Sequence, residues 1–221
     1  MRSVRLRLLF LALAPLVLVL PMLLFLVMTR WTADYDALLI SKVESDLKIA
    51  QQYLARIMTG TGEELKGVAE STVFADILAR DAAEQKAFFA EKQAQLGLDF
   101  LMFLPAGSDA AQAARWPVIQ AGLDGVPTTK IDIFSGADLE ALGLELAARA
   151  RIPLIETEAA VPTDRTVEDR GMVVHSASPV RVDGHEGALV GGILLNRNLN
   201  FIDTINALVY PDIPQVACRL T

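Results

Sequence analysis

GMVVHSASPVRVDGHEGALVGGILL, residues 171–195, holds the strongest strand pattern of the chain. Two apolar runs, 171–180 and 187–195, flank the polar, glycine-containing segment 183–186. Such a segment between two strand-forming runs is typical of the turn in an antiparallel hairpin. Gly191 and Gly192 lie inside the second run, where glycine usually marks a bulge or a close approach to the backbone. The stretch therefore predicts a hairpin in an antiparallel sheet.

Further strands and helices are predicted on both sides of this hairpin. Residues 98–104 form a short apolar run that ends at Pro105, which predicts a strand. Residues 116–123 predict a second strand, at a sheet edge because Pro117 cannot donate a ladder hydrogen bond. Helices are predicted over 63–95, with a break near Ser71-Thr72, and over 138–151 and 198–209. This order of elements predicts an α+β fold with an antiparallel sheet.

The N-terminus carries the signature of a membrane anchor. Residues 8–28 are almost wholly apolar and match the length of about 20 residues that a spanning helix needs. The run exceeds the apolar core of a signal peptide and lacks a small-residue cleavage site after it, which favours an uncleaved anchor over a cleaved signal. Arg2, Arg5 and Arg7 precede the run, whereas Arg30 alone follows closely. This bias predicts a cytoplasmic N-terminus and a chain that lies mostly outside.

A second helical pattern follows the apolar run. Residues 31–58 contain neither glycine nor proline, and the segment 60–62, Gly-Thr-Gly, is predicted to break the helix. Apolar residues in this helix alternate spacings of three and four, as in a coiled-coil seam. Two alternatives stay open, namely packing on the domain's own sheet and pairing with a second copy in a homodimer. The seam comprises Ile40, Val43, Leu47, Ala50, Leu54 and Ile57.

Composition and motifs exclude several classes of function. The formal charge is −7 without a cluster of Lys and Arg, so the chain is not expected to bind nucleic acid. Cys218 is the only cysteine, which excludes a disulfide framework and a cysteine-rich zinc site. His175 and His185 lack the spacing of two metal ligands on one helix face. No phosphate-binding loop, nucleophile elbow or kinase box occurs, so neither a cofactor, a metal nor catalysis is predicted.

Three segments carry a resemblance to a known family: residues 97–101 (GLDFL), 165–180, and 191–198 (GGILLNRN). On these, residues 30–213 resemble the Cache family of PAS-like extracytoplasmic sensor domains, and most closely the double-Cache receptors of bacterial histidine kinases. The resemblance implies a long helix leading from the membrane to a membrane-distal sensor module. It also implies a membrane-proximal module, a second span and a cytoplasmic output, which the sequence does not show.

The resulting prediction of domains has five segments. A cytoplasmic N-terminus covers residues 1–7, a transmembrane helix 8–28 and a long signalling helix 29–60. The Cache-like sensor module covers 61–210, and 211–221 is predicted to be a truncated or frame-altered tail. The bulk of the chain is expected in the periplasm, attached to the inner membrane by a single span.

The resemblance also implies a ligand site on the sheet, beneath a cap of loops and a helical segment. Arginine near it would suit a carboxylate, so a small organic acid is the predicted ligand. The alternatives are that Arg165 and Arg170 pair with neighbouring acids and that the strand residues belong to the core. The candidate residues are Phe100, Met102, Arg115, Trp116, Arg165, Arg170 and His175.

The predicted function follows from these expectations. The chain is expected to be the ligand-sensing portion of a membrane-bound receptor, the N-terminal part of a two-component histidine kinase without its kinase domain. A chemoreceptor sensor domain is one alternative. A membrane-anchored interaction protein is another, working through a homodimer formed by Ile40, Val43, Leu47, Leu54 and Ile57.

Overall fold

The computed structural model describes residues 2–107, 115–155, 157, 160–161, 163–182 and 184–210. The chain divides into two compact units, residues 1–51 and residues 52–221. The predicted tail at 211–221 lies outside the described residues. Within the described residues, none of the helices combines the length and the apolar composition that crossing a membrane requires.

The first helix, α1, extends from Arg2 to Ala69. The predicted break at 60–62 is wrong, since the helix continues through it. A Cβ on Gly62 would lie 2.7 Å from Oγ1 of Thr129, and Thr61 is buried. The glycine therefore lets the helix approach a strand closely. The break predicted at Ser71-Thr72 is confirmed, because Ser71 caps the next helix and accepts a hydrogen bond from the backbone N–H of Phe74.

The remaining described elements follow in chain order. The helices are α2 (Thr72–Leu78), α3 (Ala82–Leu96), α4 (Pro117–Leu123), α5 (Gly136–Leu142), α6 (Leu144–Ala150) and α7 (Leu199–Val209). The strands are β1 (Phe100–Pro105), β2 (Thr128–Phe134), β3 (Ile152–Pro153), β4 (Val167–Glu168), β5 (Gly171–Val182) and β6 (His185–Leu194). This is a mixed α+β architecture, as predicted.

The main sheet has the strand order β1-β6-β5-β2, and every neighbouring pair is antiparallel. The predicted hairpin is confirmed as β5 and β6, with Val182 opposite His185 beside the turn. The strand predicted over 98–104 and the helix predicted over 198–209 are confirmed as β1 and α7. Strands β3 and β4 form a separate two-stranded sheet.

Two segments differ from their predictions. Residues 116–123 are not an edge strand, because Pro117 occupies the first turn of α4 and Trp116 is its N-cap. Proline favours that position, where a helix leaves the backbone N–H without a partner in any case. The single helix predicted over 138–151 is two helices, α5 and α6, separated at Gly143.

The sheet is covered on both faces. On one face, here called the α4 face, apolar residues of β5 and β6 pack with α4, α5 and α6, including Val173, Ala177 and Val190. On the other, here called the α1 face, the strands pack with α2, α3 and the end of α1. The buried members on the α1 face are Leu65, Ala69, Phe74, Leu78, Phe88, Leu98, Leu101, Val180 and Leu189.

The predicted seam of α1 differs in exposure along its length. Ile40, Val43 and Leu47, in the first unit, are exposed. Leu54 and Ile57, in the second unit, are half-buried. The helix thus offers apolar side chains to solvent in the part that carries the first half of the seam.

Candidate functional site

A cavity of about 410 Å³ lies on the α4 face of the sheet. Strands β1, β2, β5 and β6 contribute its floor and walls, and α4, α5 and the residues just before α4 contribute the remainder. Five of the predicted candidates line it, namely Phe100, Met102, Arg115, Trp116 and His175. The other lining residues are Ile119, Phe134, Asp138, Ala141, Leu142 and Val190.

The sheet register explains why distant residues meet at this cavity. Phe100 and Met102 alternate along β1 and therefore point to the same face. His175 on β5 lies opposite Gly192 on β6, which in turn lies opposite Phe100. A Cβ on Gly192 would lie 2.8 Å from the Phe100 ring, so the glycine leaves room for that ring. The close approach predicted at Gly192 is confirmed.

His175 forms the polar floor of the cavity. It is 1% exposed, and its Nδ1 lies 2.9 Å from Oδ2 of Asp132, whose side chain is 18% exposed. Three aromatic rings surround the imidazole. The ring centroids of Phe134, Trp116 and Phe100 lie 5.2, 5.8 and 6.1 Å from that of His175. A hydrogen-bonded imidazole is therefore set in a largely apolar surrounding.

Arg115 and Asp138 form an ion pair at the cavity. Arg115 makes contacts of 2.6 Å (Nη1 to Oδ1) and 2.9 Å (Nη2 to Oδ2), which is a bidentate arrangement. Asp138 also accepts hydrogen bonds from the backbone N–H and the hydroxyl of Ser135, where it completes the cap of α5. The Arg115 guanidinium lies over the ring of Trp116, at 5.6 Å from its centroid. Both charges at the cavity are thus already paired.

Arg165 and Arg170 do not line the cavity, and both bind Glu168. Hydrogen bonds from Arg170, and then from Arg165, hold the pKa of the Glu168 carboxyl well below its ordinary range. The same contact raises the pKa of Arg170. The arrangement matches the alternative in which these arginines pair with neighbouring acids.

A second depression, of about 440 Å³, lies on the α1 face between α1 and β2. Its polar wall includes Thr129 and Ser176, whose hydroxyls are 2.8 Å apart and share one hydrogen bond. Lys66 at its rim lies 3.7 Å from Glu70. Among the described residues that line this groove there is no aromatic side chain, in contrast to the cavity at His175.

Three residues of the site were not among the candidates predicted from the sequence: Asp132, which binds His175, and Phe134 and Asp138, which line the cavity. The first two lie on β2, which was not predicted. The alternation in Thr-Thr-Lys-Ile-Asp-Ile-Phe, residues 128–134, is a strand signal that could have located them. Asp138 was predicted as the first residue of a helix, and its spacing from Ser135 is that of a capping pair, which could have shown that the helix begins earlier.

Comparisons with protein-family models, curated proteins and solved structures yield no match for this chain. The resemblance to Cache domains therefore stays a prediction. Among the described residues, no group of His, Cys, Asp or Glu side chains is arranged to hold a metal ion. The site offers aromatic walls, one imidazole and an ion pair to a bound molecule.

Proposed function

We propose that this chain is the ligand-sensing portion of a membrane-bound signal-transduction receptor, and that the sensed molecule binds in the cavity on the α4 face. The observation that carries the proposal is the convergence of Phe100, Met102, Arg115, Trp116 and His175 around one cavity. They come from three segments far apart in the chain. Ligand sites in proteins are typically concave, mostly apolar and furnished with a few polar groups that orient the ligand.

The membrane anchor of the proposal is supported by the apolar run at 8–28 and the arginines that precede it. The described side chains of 18–28 on α1 are exposed, although most are large and apolar. A hydrocarbon environment would cover them. The proposed orientation has the N-terminus in the cytoplasm and the sensing unit in the periplasm.

In this proposal, the signal is transferred by α1. The C-terminal end of this helix packs on the α1 face of the sheet through Leu65 and Ala69. A ligand that binds one arrangement of the sheet and helices better than another shifts the population between them. A full receptor of the histidine-kinase type would pass that shift to a cytoplasmic domain, with a chemoreceptor output as the alternative.

A second candidate function is a membrane-anchored interaction protein. The exposure of Ile40, Val43 and Leu47 favours it, because an a/d seam in water gains free energy by pairing with another helix. Pairing with a second copy would serve both functions. A variant with serine at these positions is expected to lower the dimer fraction of the full chain in lipid nanodiscs, measured by mass photometry.

The sensing function is tested by thermal unfolding of the full chain in nanodiscs, with a library of small organic acids, amino acids, amines and neutral aromatics. A molecule at about 100 times its dissociation constant adds about 2.7 kcal/mol of stability. Ala141→Phe adds a ring at the exposed rim of the cavity, where it is expected to narrow the space for a ligand without removing a polar contact. Ala148→Phe, at an exposed site on α6 away from the cavity, is the matched control.

The expected result is a ligand that raises the melting temperature of the wild type and of Ala148→Phe but not of Ala141→Phe. If no compound of the library raises the melting temperature of any of the three proteins, the interaction-protein hypothesis is favoured over ligand sensing. A ligand that stabilises Ala141→Phe as strongly as the wild type would place binding outside this cavity.

A further inference from the structure

We propose that the cavity binds an uncharged aromatic molecule carrying an O–H or N–H donor, of the phenol or indole class, whose hydrogen bond is accepted by Nε2 of His175. This inference rests on the proposed function and names the ligand class of the same site. It replaces the organic acid expected from the sequence.

The first argument concerns the two ring nitrogens of His175. An ionised Asp132 can only accept, so Nδ1 carries the proton that is shared with it, and in the neutral tautomer that the proposal assigns to His175, Nε2 is an acceptor. Among the described residues, the hydrogen bond of His175 is made by Nδ1. Since His175 lines the cavity, Nε2 is available to a molecule bound there.

The second argument concerns charge. A free cation favours a carboxylate ligand, but Arg115 already holds Asp138 through both terminal nitrogens. Arg165 and Arg170 hold Glu168 and lie outside the cavity. Binding an organic acid would therefore require Arg115 to leave Asp138, whose side chain is only 10% exposed. An uncharged ligand leaves that pair intact.

The third argument concerns the walls. Phe100, Trp116 and Phe134 present aromatic surface, and Met102 and Leu142 add apolar surface around the same space. A planar ring gains dispersion and edge or face contacts in such a surrounding. The volume of about 410 Å³ falls at the small end of ligand pockets, which suits one or two fused rings.

The test uses isosteric probes on the full chain in nanodiscs. Indole and benzofuran have nearly the same shape, but only indole has an N–H donor, and benzoate supplies the charged alternative. Binding is measured by equilibrium dialysis against empty nanodiscs, and only binding that Ala141→Phe abolishes is assigned to the cavity. Indole is expected to bind about 10- to 100-fold more tightly than benzofuran, the effect of one buried hydrogen bond to a neutral group.

His175→Phe keeps an aromatic ring and removes the acceptor, so the preference for indole over benzofuran is expected to vanish in that variant. Equal binding of the two probes to the wild type overturns the proposal, even if the variant does not fold. An indole preference that survives in His175→Phe also overturns it.

The failures of the two proposals are distinguishable. Benzoate binding most tightly, with loss in Arg115→Gln, overturns the uncharged ligand class but leaves small-molecule sensing in place. If neither these probes nor any member of the wider library occupies the cavity, both the ligand class and the sensing function fail.

Discussion

The two faces of the sheet are built from similar apolar residues but are filled in different ways. On the α1 face, Phe74 is fully buried and contacts the rings of Phe88, Phe89 and Phe103 at centroid distances near 6 Å. On the α4 face, the rings of Phe100, Trp116 and Phe134 line a cavity whose floor is a buried imidazole.

The difference shows how one sheet can combine stability with binding. Close packing around Phe74 on the α1 face supplies dispersion contacts that an open cavity forgoes. The α4 face instead places a buried, hydrogen-bonded imidazole at the floor of a cavity. Stability should therefore depend more on side chains of the α1 face than on those that line the cavity.

The largest effect is expected from truncating Phe74. Phe74→Ala removes a fully buried ring and leaves a void among three other rings, so it should lower the free energy of unfolding by about 3–5 kcal/mol. Met102→Ala, on the cavity wall, is the counterpart and should cost less than half as much, because Met102 is only partly buried. Urea unfolding followed by circular dichroism measures both values. Equal losses would mean that the two faces do not differ in packing.

A smaller effect is expected at the polar floor. Asp132→Ala leaves Nδ1 of the buried His175 without its partner, which should cost about 1–3 kcal/mol of unfolding free energy. Lys130→Ala changes an exposed residue on the same strand and should stay within about 0.5 kcal/mol. The same urea titrations provide the comparison. A loss in Asp132→Ala no larger than in the control would show that the pair does not stabilise the floor.

The parts of the fold that the sequence predicted are those in which local and tertiary preferences agree. The hairpin of β5 and β6 combines two long apolar runs with a turn that contains Gly184, whose φ is +83°. Glycine adopts that backbone conformation without a steric penalty. Helix α7 starts at Asn198, whose side chain accepts a hydrogen bond from Phe201 N–H. The turn and the cap both depend on residues that are neighbours in the sequence, so both can be recognised from the sequence alone.

The errors arose where one residue supports two interpretations. Pro117 is compatible with an edge strand and with the first turn of a helix, and only the packing of Val118 and Ile119 in the core of the α4 face distinguishes them. Gly62 is compatible with a helix break and with close helix–strand packing. The approach of Thr129 favours the second, and that contact joins positions far apart in sequence.

The candidate site was predictable in its residue types but not in its partners. Arg115, Trp116 and His175 were identified from their chemistry, and the sheet register brings them together. Asp138, the partner of Arg115, lies on a helix that was predicted with other boundaries. Asp132, the partner of His175, lies on β2, which was not predicted. The charge of a site depends on such partners. Because these were not recognised in the sequence, the arginines alone led to an organic acid as the predicted ligand.

The smallest effect is expected outside both faces, at Glu168. Its pKa is lowered by Arg170 and Arg165, so the ionised carboxyl stabilises the fold near neutral pH. That contribution is lost as the pH falls through the ordinary glutamate range near 4.5 and toward the lowered value in the folded state. Glu168→Gln should therefore have a slightly lower urea midpoint of unfolding than the wild type at pH 7. This difference between the two midpoints, here called the gap, should become smaller in acid.

Because these side chains are partly exposed, 1 M NaCl should narrow the gap at pH 7 as well. Glu140→Gln removes an exposed carboxylate from α5 and is the matched control. A gap for Glu168→Gln that neither acid nor salt reduces would mean that the side chain acts through packing. The case against an anionic ligand would then rest on Arg115 and Asp138 alone.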